Sequence, residues 1–309
     1  MQKQLLPVGF YDLLFDEAKQ SHININMALD SFFAAGYNLI KLPLVEFEES
    51  FAVEKIKNSF RATDVISGKN LIFRNDITLQ LSRVLNNRLS EVKLPLKLCY
   101  VGDVLCAKSQ DLYADRQQTQ LGVEIIGCDA QKSSFEVIEI VLEALKKMEL
   151  KNLLIEFSLP DFLENFLTEI GENDDEKKAQ LCEAIMQKNL SAIKNLAGQN
   201  SEIITKIATS NHDLEGLTKE ILQSVKSPKI VQLLQRAQKI AEFLAKKNSD
   251  ISFRFDLFGD HESSYHDNLS FDVFCGNFSY PIARGGSYEI NSHKAVGATI
   301  YMNRLRKIK

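Results

Sequence analysis

The sequence predicts an α+β fold with a helical insertion, and differences in texture along the chain carry this prediction. Residues 1 to about 158 mix helical and strand patterns, whereas residues from about 173 to 248 are rich in Lys, Glu, Leu, Ala and Ile. Strand character returns after residue 250, so the last strands are expected to complete the first sheet. The predicted organisation is therefore one discontinuous domain, residues 1–158 and 251–309, with a mainly helical insertion at residues 159–250.

Hydrophobic periodicity places the predicted elements in order. An imperfect apolar stripe predicts a helix from Glu17 to Gly36, where the glycine favours termination. Residues 39–45 are expected to form a strand in which Pro43 favours an edge or irregular position. Further strands are predicted at residues 71–74, 96–106, 117–128, 251–257, 269–275 and 295–302.

Two further helices are predicted from their ends or their apolar stripe. The first is expected to begin at a capping box, Ser133-x-x-Glu136, and to end with Lys146 and Lys147 in its last turn. The second spans residues 229–246 of the insertion, where apolar side chains recur at helical spacing. We interpret that stripe as the core-facing side of a helical hairpin rather than as a ligand site.

Composition restricts the class of protein. The chain has 309 residues and a formal net charge of −4, so it lacks the basic excess typical of nucleic-acid binding. It contains no long uncharged apolar run, and its first residues lack an apolar signal segment, so a cytoplasmic location without a membrane partner is expected. The cysteines lie far apart and the histidines lack a zinc-binding spacing, so no disulfide, metal or other cofactor is expected.

One face of the strand predicted at residues 117–128 is polar. Because alternate residues of a strand share a face, the polar face would carry Arg116, Gln118, Gln120, Gly122 and Glu124. Such a face could bind a small zwitterion, with Glu124 and Gln120 toward an ammonium group and Arg116 toward an anion. From the pattern alone, the solvated face of an antiparallel sheet is the favoured interpretation.

Two other segments are open to more than one interpretation. Asp76 and Thr78 could project into one pocket, but a helix start with Asn75 or Asp76 as N-cap is the favoured interpretation. The pair Gly285-Gly286 is typical of a tight turn or of a close approach of the backbone. The sequence contains no P-loop, no dinucleotide-binding glycine motif and no nucleophile elbow.

The order of the motifs resembles that of the histidyl-tRNA synthetases, which are class II synthetases. The matching segments, in chain order, are Pro7-x-Gly9-x-x-Asp12, Ala35 to Glu46, Arg74 to Thr78 with Arg83, Tyr100 to Val104, Arg116 to Glu124, Tyr265 to Phe271, Ala283 to Glu289 and Ala295 to Leu305. The resemblance covers the chain from end to end except for the helical insertion. It implies a class II antiparallel sheet flanked by helices, and a dimer formed through motif 1.

The resemblance also implies a histidine-binding pocket. The residues that match the family's pocket are Asp76, Thr78, Gln120, Glu124 and Tyr265, with Arg116 as the anion partner. The sequence departs from the family pattern at His266, Asn268 and Ser287, which replace a tyrosine, a glycine and an arginine. An effector site at a subunit interface is the alternative.

Missing cations argue against a working synthetase. The charge that develops on an activated ATP phosphate needs fixed cations, and two arginines supply them in the family. The resemblance aligns Cys106 and His261 with those arginines, and a thiol of ordinary pKa is mostly neutral at pH 7. Arg304 is retained, but the chain ends soon after it, where the synthetases continue into an anticodon-binding domain. We therefore expect no catalytic residues and no charging of tRNA.

Such a relative resembles the regulatory subunit of short-form ATP phosphoribosyltransferase, a subfamily that Thr119 also matches. The implied function is non-catalytic: assembly with the short catalytic subunit, its activation, and feedback inhibition by histidine at the first step of histidine biosynthesis. A homodimer within a hetero-oligomer is implied. Two alternatives stay open, a divergent histidyl-tRNA synthetase-like ligase and a stand-alone paralogue that binds an amino acid or RNA.

Overall fold

The structure, a computed structural model, describes residues 5–109, 115–159, 162–209, 221, 227–256 and 269–308. Contacts divide the chain into two compact units. The first unit comprises residues 1–151, 274–285 and 289–309, and the second comprises residues 152–273 and 286–288. Both contain helices and strands, so the fold is α+β, as the sequence predicts.

The described α-helices and strands are interspersed in the first half of the chain. In chain order they are α1 (Phe15–Ala34), β1 (Asn38–Ile40), β2 (Val45–Phe47), β3 (Arg61–Thr63), β4 (Asn70–Phe73), α2 (Leu81–Arg88), β5 (Leu96–Leu105), β6 (Gln117–Ile126), α3 (Ala130–Lys147), β7 (Leu153–Ser158), α4 (Phe162–Glu169), α5 (Asp175–Met186), α6 (Leu190–Ala197), α7 (Ser201–Thr209), α8 (Pro228–Lys247), β8 (Ser252–Asp256), β9 (Ser270–Cys275), β10 (Ala283–Ile290), β11 (His293–Tyr301) and α9 (Met302–Leu305).

In the first unit, hydrogen bonding orders a main sheet as β1–β5–β6–β11–β10 and a small sheet as β2–β4–β3. β6 pairs antiparallel with β5 and with β11, whereas β1 pairs parallel with β5, so the main sheet is mixed. α3 packs on β11, and its Val137, Ile138, Val141 and Leu145 are each at most 1% exposed. Each such burial contributes about 1.5–3 kcal/mol.

The strand predicted near Pro43 and the tight-turn interpretation of the glycine pair are both wrong. A single strand over residues 39–45 does not form, since β1 and β2 are separate strands of different sheets and Pro43 lies between them. Proline cannot donate a ladder hydrogen bond, which favours the break. Gly285 and Gly286 lie within β10 rather than at a tight turn.

The start of α3 also differs from the prediction. The Asp129 side chain accepts a 2.9 Å hydrogen bond from the backbone N–H of Lys132, so the helix begins at Ala130 rather than at the Ser133 capping box. The backbone N–H groups of a helix's first turn lack acceptors within the helix. Asp129 accepts from one of them, so α3 begins before Ser133. The two lysines predicted for the last turn are there.

The second unit orders its strands as β9–β7–β8 and adds helices α4 to α8. The helix predicted at residues 229–246 is confirmed as α8, and its apolar stripe faces the core, since Ile230, Leu234, Ala237, Ile240 and Leu244 are 0% exposed. Contacts group β7 and β8 with these helices, and the predicted domain boundaries stay a prediction. Among the helices that the structure describes, none is both long and apolar enough to cross a membrane.

Candidate functional site

The polar side chains of β6 lie over the middle of the main sheet of the first unit. In the strand register, Gln120 lies opposite Gly102 of β5, and Glu124 lies opposite Gly297 of β11. Gln120 and Glu124 are 3% and 2% exposed. The interpretation of this face as solvated is therefore wrong, and the buried polar groups need partners within the protein or on a ligand.

Asp76 and Gln120 form one half of the site. Gln120 Nε2 donates to Asp76 Oδ2 at 3.1 Å, and Gln120 Oε1 accepts from the Ile77 backbone N–H at 3.1 Å. The other carboxylate oxygen, Asp76 Oδ1, accepts from the Thr78 backbone N–H at 2.8 Å, at the start of the 3-10 turn Thr78–Gln80. Asp76 thus stabilises the turn before α2 and contacts the polar face of β6 at the same time.

Thr78, Tyr100 and Glu124 form the other half of the site. Thr78 Oγ1 donates to Glu124 Oε1 at 3.0 Å, and the Tyr100 hydroxyl lies 3.4 Å from the same oxygen. The Tyr100 hydroxyl also lies 2.9 Å from Thr299 Oγ1 of β11. Burial, and next the charge of Glu124, raises the pKa of Tyr100 well above its ordinary value, so the hydroxyl keeps its proton.

Two glycines leave the space that this site occupies. A Cβ atom on Gly297 would overlap Glu124 Oε2, and a Cβ atom on Gly122 would overlap the ring and hydroxyl of Tyr100. Glycine is therefore the residue that fits at both positions. The term buried polar cluster is used below for Asp76, Thr78, Tyr100, Gln120, Glu124 and Thr299.

Cys106 follows β5 directly and lies near the buried polar cluster. Its side chain is 1% exposed. Burial, and next the charge of Asp76, raises the pKa of the Cys106 thiol to about 11, so the thiol is neutral at pH 7 and supplies no positive charge. His261, the other predicted position of a lost arginine, lies outside the described residues.

Arg116, the predicted anion partner, contacts carbonyl oxygens and aromatic rings of the protein. Its guanidinium donates to the carbonyl oxygens of Val8 and Cys106, at 3.3 Å each. The guanidinium carbon also lies 5.3 Å and 4.7 Å from the ring centroids of Phe10 and Phe60. These contacts tie the segment around Gly9 to the start of β6. A role of Arg116 as the anion partner stays a prediction.

Other positions singled out in the sequence are buried or lie outside the described residues. Arg304 is 5% exposed, donates to the Pro281 carbonyl at 2.6 Å and lies over the Tyr301 ring. Ser287 of β10 is 3% exposed. The residues of this group outside the described part of the chain are Tyr265, His266 and Asn268.

Sequence reasoning missed Tyr100 and Thr299. Strand alternation could have indicated both, because Tyr100 shares a face of β5 with Gly102, and Thr299 shares a face of β11 with Gly297. What the sequence did not provide was the pairing of β11 with β6, which brings Thr299 opposite Gly122.

Comparison with known proteins gives a match over nearly the whole chain. A family model described as Histidyl-tRNA synthetase matches residues 9–305. The chain is 27% identical over 306 residues to the ATP phosphoribosyltransferase regulatory subunit of Paramagnetospirillum magneticum, covering 97% of the chain and 80% of the relative. It is 30% identical over 292 residues to the protein of the same name from Caldanaerobacter subterraneus subsp. tengcongensis, covering 92% of the chain and 76% of the relative.

Solved structures show the same fold. An ATP phosphoribosyltransferase regulatory subunit/histidyl-tRNA synthetase from Bacillus halodurans superposes with a TM-score of 0.85 at 20% identity, covering 99% of this chain and 83% of that one. A chain of the ATP phosphoribosyl transferase (HisG:HisZ) complex from Thermotoga maritima superposes with a TM-score of 0.72 at 22% identity, covering 94% and 98%. The predicted class II synthetase-like fold is confirmed.

Proposed function

The chain belongs to the histidyl-tRNA synthetase family, and we propose that it acts as the non-catalytic regulatory subunit of an ATP phosphoribosyltransferase in histidine biosynthesis. Its curated relatives carry the name of that subunit and match 97% and 92% of the chain. A separate catalytic subunit is therefore the partner.

The neutral thiol of Cys106 is the observation that carries the non-catalytic role. At the position where the resemblance places an arginine, the structure has a buried side chain whose pKa is about 11. Removing one oriented donor to a developing negative charge typically lowers a rate about a hundred- to a thousandfold. Arg116, whose Nε donates to the Cys106 carbonyl, is held by carbonyl oxygens and aromatic rings.

The buried polar cluster supports histidine as the effector. It contains the carboxylates of Asp76 and Glu124 and the amide of Gln120, which match the ammonium and imidazole N–H donors of histidine. Thr78 and Tyr100 donate to Glu124 in the structure, so histidine would share or replace these hydrogen bonds. Feedback inhibition then requires that histidine bind one state of the complex more tightly than the other.

Exposed apolar side chains support a homodimer within the complex. Met27 and Phe33 of α1 are 38% and 46% exposed, and Leu39 of β1 is 48% exposed. β1 is also the first strand in the order of the main sheet, so one edge of it is unpaired within the described residues. A second copy would remove this apolar surface from water. The absence of tRNA binding and a cytoplasmic location remain predictions from the sequence.

The test is a reconstitution with the short catalytic subunit encoded in the same genome. We expect the two chains to co-elute, the rate of phosphoribosyl transfer to ATP to rise, and histidine to lower that rate. Glu124→Gln should preserve assembly but weaken the response to histidine about ten- to a hundredfold, since it removes a charged acceptor. Glu202→Gln, at a side chain that is 84% exposed, is the matched control and should change neither.

Three results would contradict this proposal in different ways. Failure to co-elute, with no effect on the rate, would remove the regulatory role. Histidine-dependent ATP–pyrophosphate exchange by the chain alone would favour the ligase alternative. Histidine binding by the chain in the absence of any complex with the catalytic subunit would favour the stand-alone paralogue.

A further inference from the structure

A pocket of about 390 Å³ lies in the first unit between the start of α1 and the residues of α9. This volume is in the range of small-molecule sites. Leu13, Asp16 and Glu17 line it from one side, and Met302 and Leu305 line it from the other. It shares no lining residue with the buried polar cluster.

The wall formed by α9 and the turn after it is fixed by contacts within the protein. The Asp115 side chain is 3% exposed, and its carboxylate accepts a 2.9 Å hydrogen bond from Asn303 Nδ2. Arg306 and Lys307 form ion pairs with the same carboxylate, at 2.5 Å and 2.8 Å. The wall is therefore ordered without a ligand, which lowers the entropic cost of binding.

The charges on the lining favour a cation. Asp16 and Glu17 are exposed acidic residues in the first turn of α1. The lining also includes Arg306, which shares the single carboxylate of Asp115 with Lys307, so these three groups together carry one positive charge. Asp16 and Glu17 carry two negative charges, which outweigh that positive charge and leave the pocket with a net negative potential that attracts cations and repels anions.

The opposite side of the pocket is apolar. Met302 and Leu305 are 5% and 8% exposed and lie on the face of α9 that lines the pocket. We propose that this pocket binds a small organic cation, an ammonium or guanidinium group joined to an apolar body. The charged group lies toward Asp16 and Glu17, and the apolar body covers Met302 and Leu305. This site is independent of the effector site proposed above.

The experiment uses probes that share an apolar body and differ in charge. Hexylammonium, hexanol and hexanoate are titrated into the full chain labelled with ¹³C at the methionine methyl groups. The Met302 signal, assigned with a Met302→Leu variant, reports binding at the pocket. We expect hexylammonium to shift this signal saturably, and hexanol and hexanoate to bind at least about tenfold more weakly.

A pair of matched double variants tests the carboxylates. Asp16→Asn/Glu17→Gln should weaken hexylammonium binding about tenfold. Asp175→Asn/Glu176→Gln, an equivalent pair in the first turn of α5, removes the same charge and should leave binding within about twofold. N-acetyl-lysine methylamide tests whether the ammonium group belongs to a lysine side chain of a polypeptide or to a free amine. Tighter binding of this compound than of hexylammonium indicates a lysine side chain. Weaker binding indicates a free amine.

The proposal is overturned if hexanol binds as tightly as hexylammonium, because the pocket would then recognise only the apolar body. It is equally overturned if the Met302 signal stays unchanged at millimolar hexylammonium, or if the Asp16→Asn/Glu17→Gln variant binds as tightly as the unmodified chain. Thermal unfolding of each variant, followed by circular dichroism, separates loss of binding from loss of folding.

Discussion

The middle of the β5–β6 strand pair and its end at Leu105 and Gln117 hold polar groups of opposite kinds. In the middle, Asp76 and Glu124 are buried carboxylates within a connected set of hydrogen bonds. At the end, where the chain connects the two strands, Cys106 is a neutral thiol and Arg116 is held between carbonyl oxygens and aromatic rings. Groups that match the cationic parts of an amino acid are thus present, whereas the cation expected for phosphate chemistry is absent at Cys106. This contrast fits the proposed role of a regulatory subunit that binds histidine without activating it.

The largest expected effect comes from filling the space beside Glu124. Gly297→Ala places a Cβ atom against Glu124 Oε2, while Thr78 and Tyr100 hold the other oxygen of that carboxylate. We expect the free energy of unfolding to fall by about 1–3 kcal/mol, and the response to histidine to be lost. Urea denaturation and the reconstituted assay measure the two effects. The control is His293→Ala, at an exposed residue of the same strand. A Gly297→Ala variant as stable as the unmodified chain would contradict the close approach of Glu124 to Gly297.

The next effect concerns the hydroxyl that connects the strands of the cluster. Tyr100→Phe removes the group that contacts Thr78, Glu124 and Thr299, and should lower the free energy of unfolding by about 1–2 kcal/mol. Tyr11→Phe, at a side chain that is 62% exposed, should have no measurable effect.

The pH dependence of this difference follows from the raised pKa of Tyr100. Below pH 10, the ordinary pKa of tyrosine, the hydroxyl is protonated in both the folded and unfolded states, so its contribution is fully present. Above pH 10 the unfolded state loses the proton first, so the stability advantage over Tyr100→Phe should shrink as the pH rises. An advantage that grows above pH 10 would mean that the Tyr100 pKa is lowered in the folded state.

Much of the fold could be predicted because its elements have clear periods. The strand predicted at residues 117–128 is β6, and the apolar stripe at residues 229–246 is α8. The errors arose where a local interaction outweighed the pattern. Asp129 caps α3 ahead of the predicted box, and the break at Pro43 separates two strands that the apolar run had joined.

The site was predicted where strand alternation or a turn determines it. Gln120 and Glu124 share a face of β6, and the short turn from Asp76 to Thr78 brings both side chains to that face. Alternation extended the same face to Arg116, but Arg116 precedes β6. There the guanidinium meets Phe10 and Phe60, contacts between distant parts of the chain that no local pattern encodes.

Replacing Arg116 separates its packing role from the predicted anion role. Arg116→Met keeps an apolar stem but removes the hydrogen bonds to Val8 and Cys106, so the free energy of unfolding should fall by about 1 kcal/mol. The response of the complex to histidine should stay within about twofold. A lost response without a loss of stability would show that Arg116 binds the carboxylate of the effector, as the sequence pattern suggested.

The last prediction changes no stability and tests whether the end of the strand pair at Leu105 and Gln117 carries any positive charge. A cation beside Cys106 would lower its pKa and speed alkylation, because the thiolate is the reactive form. The pKa of Cys106, raised from 9.0 to about 11, instead predicts alkylation by iodoacetamide at pH 8 about a hundredfold slower than that of a thiol with an unshifted pKa, and burial slows it further. Peptide mapping by mass spectrometry after timed alkylation measures this, with the urea-unfolded chain as the reference. If native Cys106 reacted as fast as in the unfolded chain, a compensating cation would be present, and the argument from Cys106 against catalysis would fail.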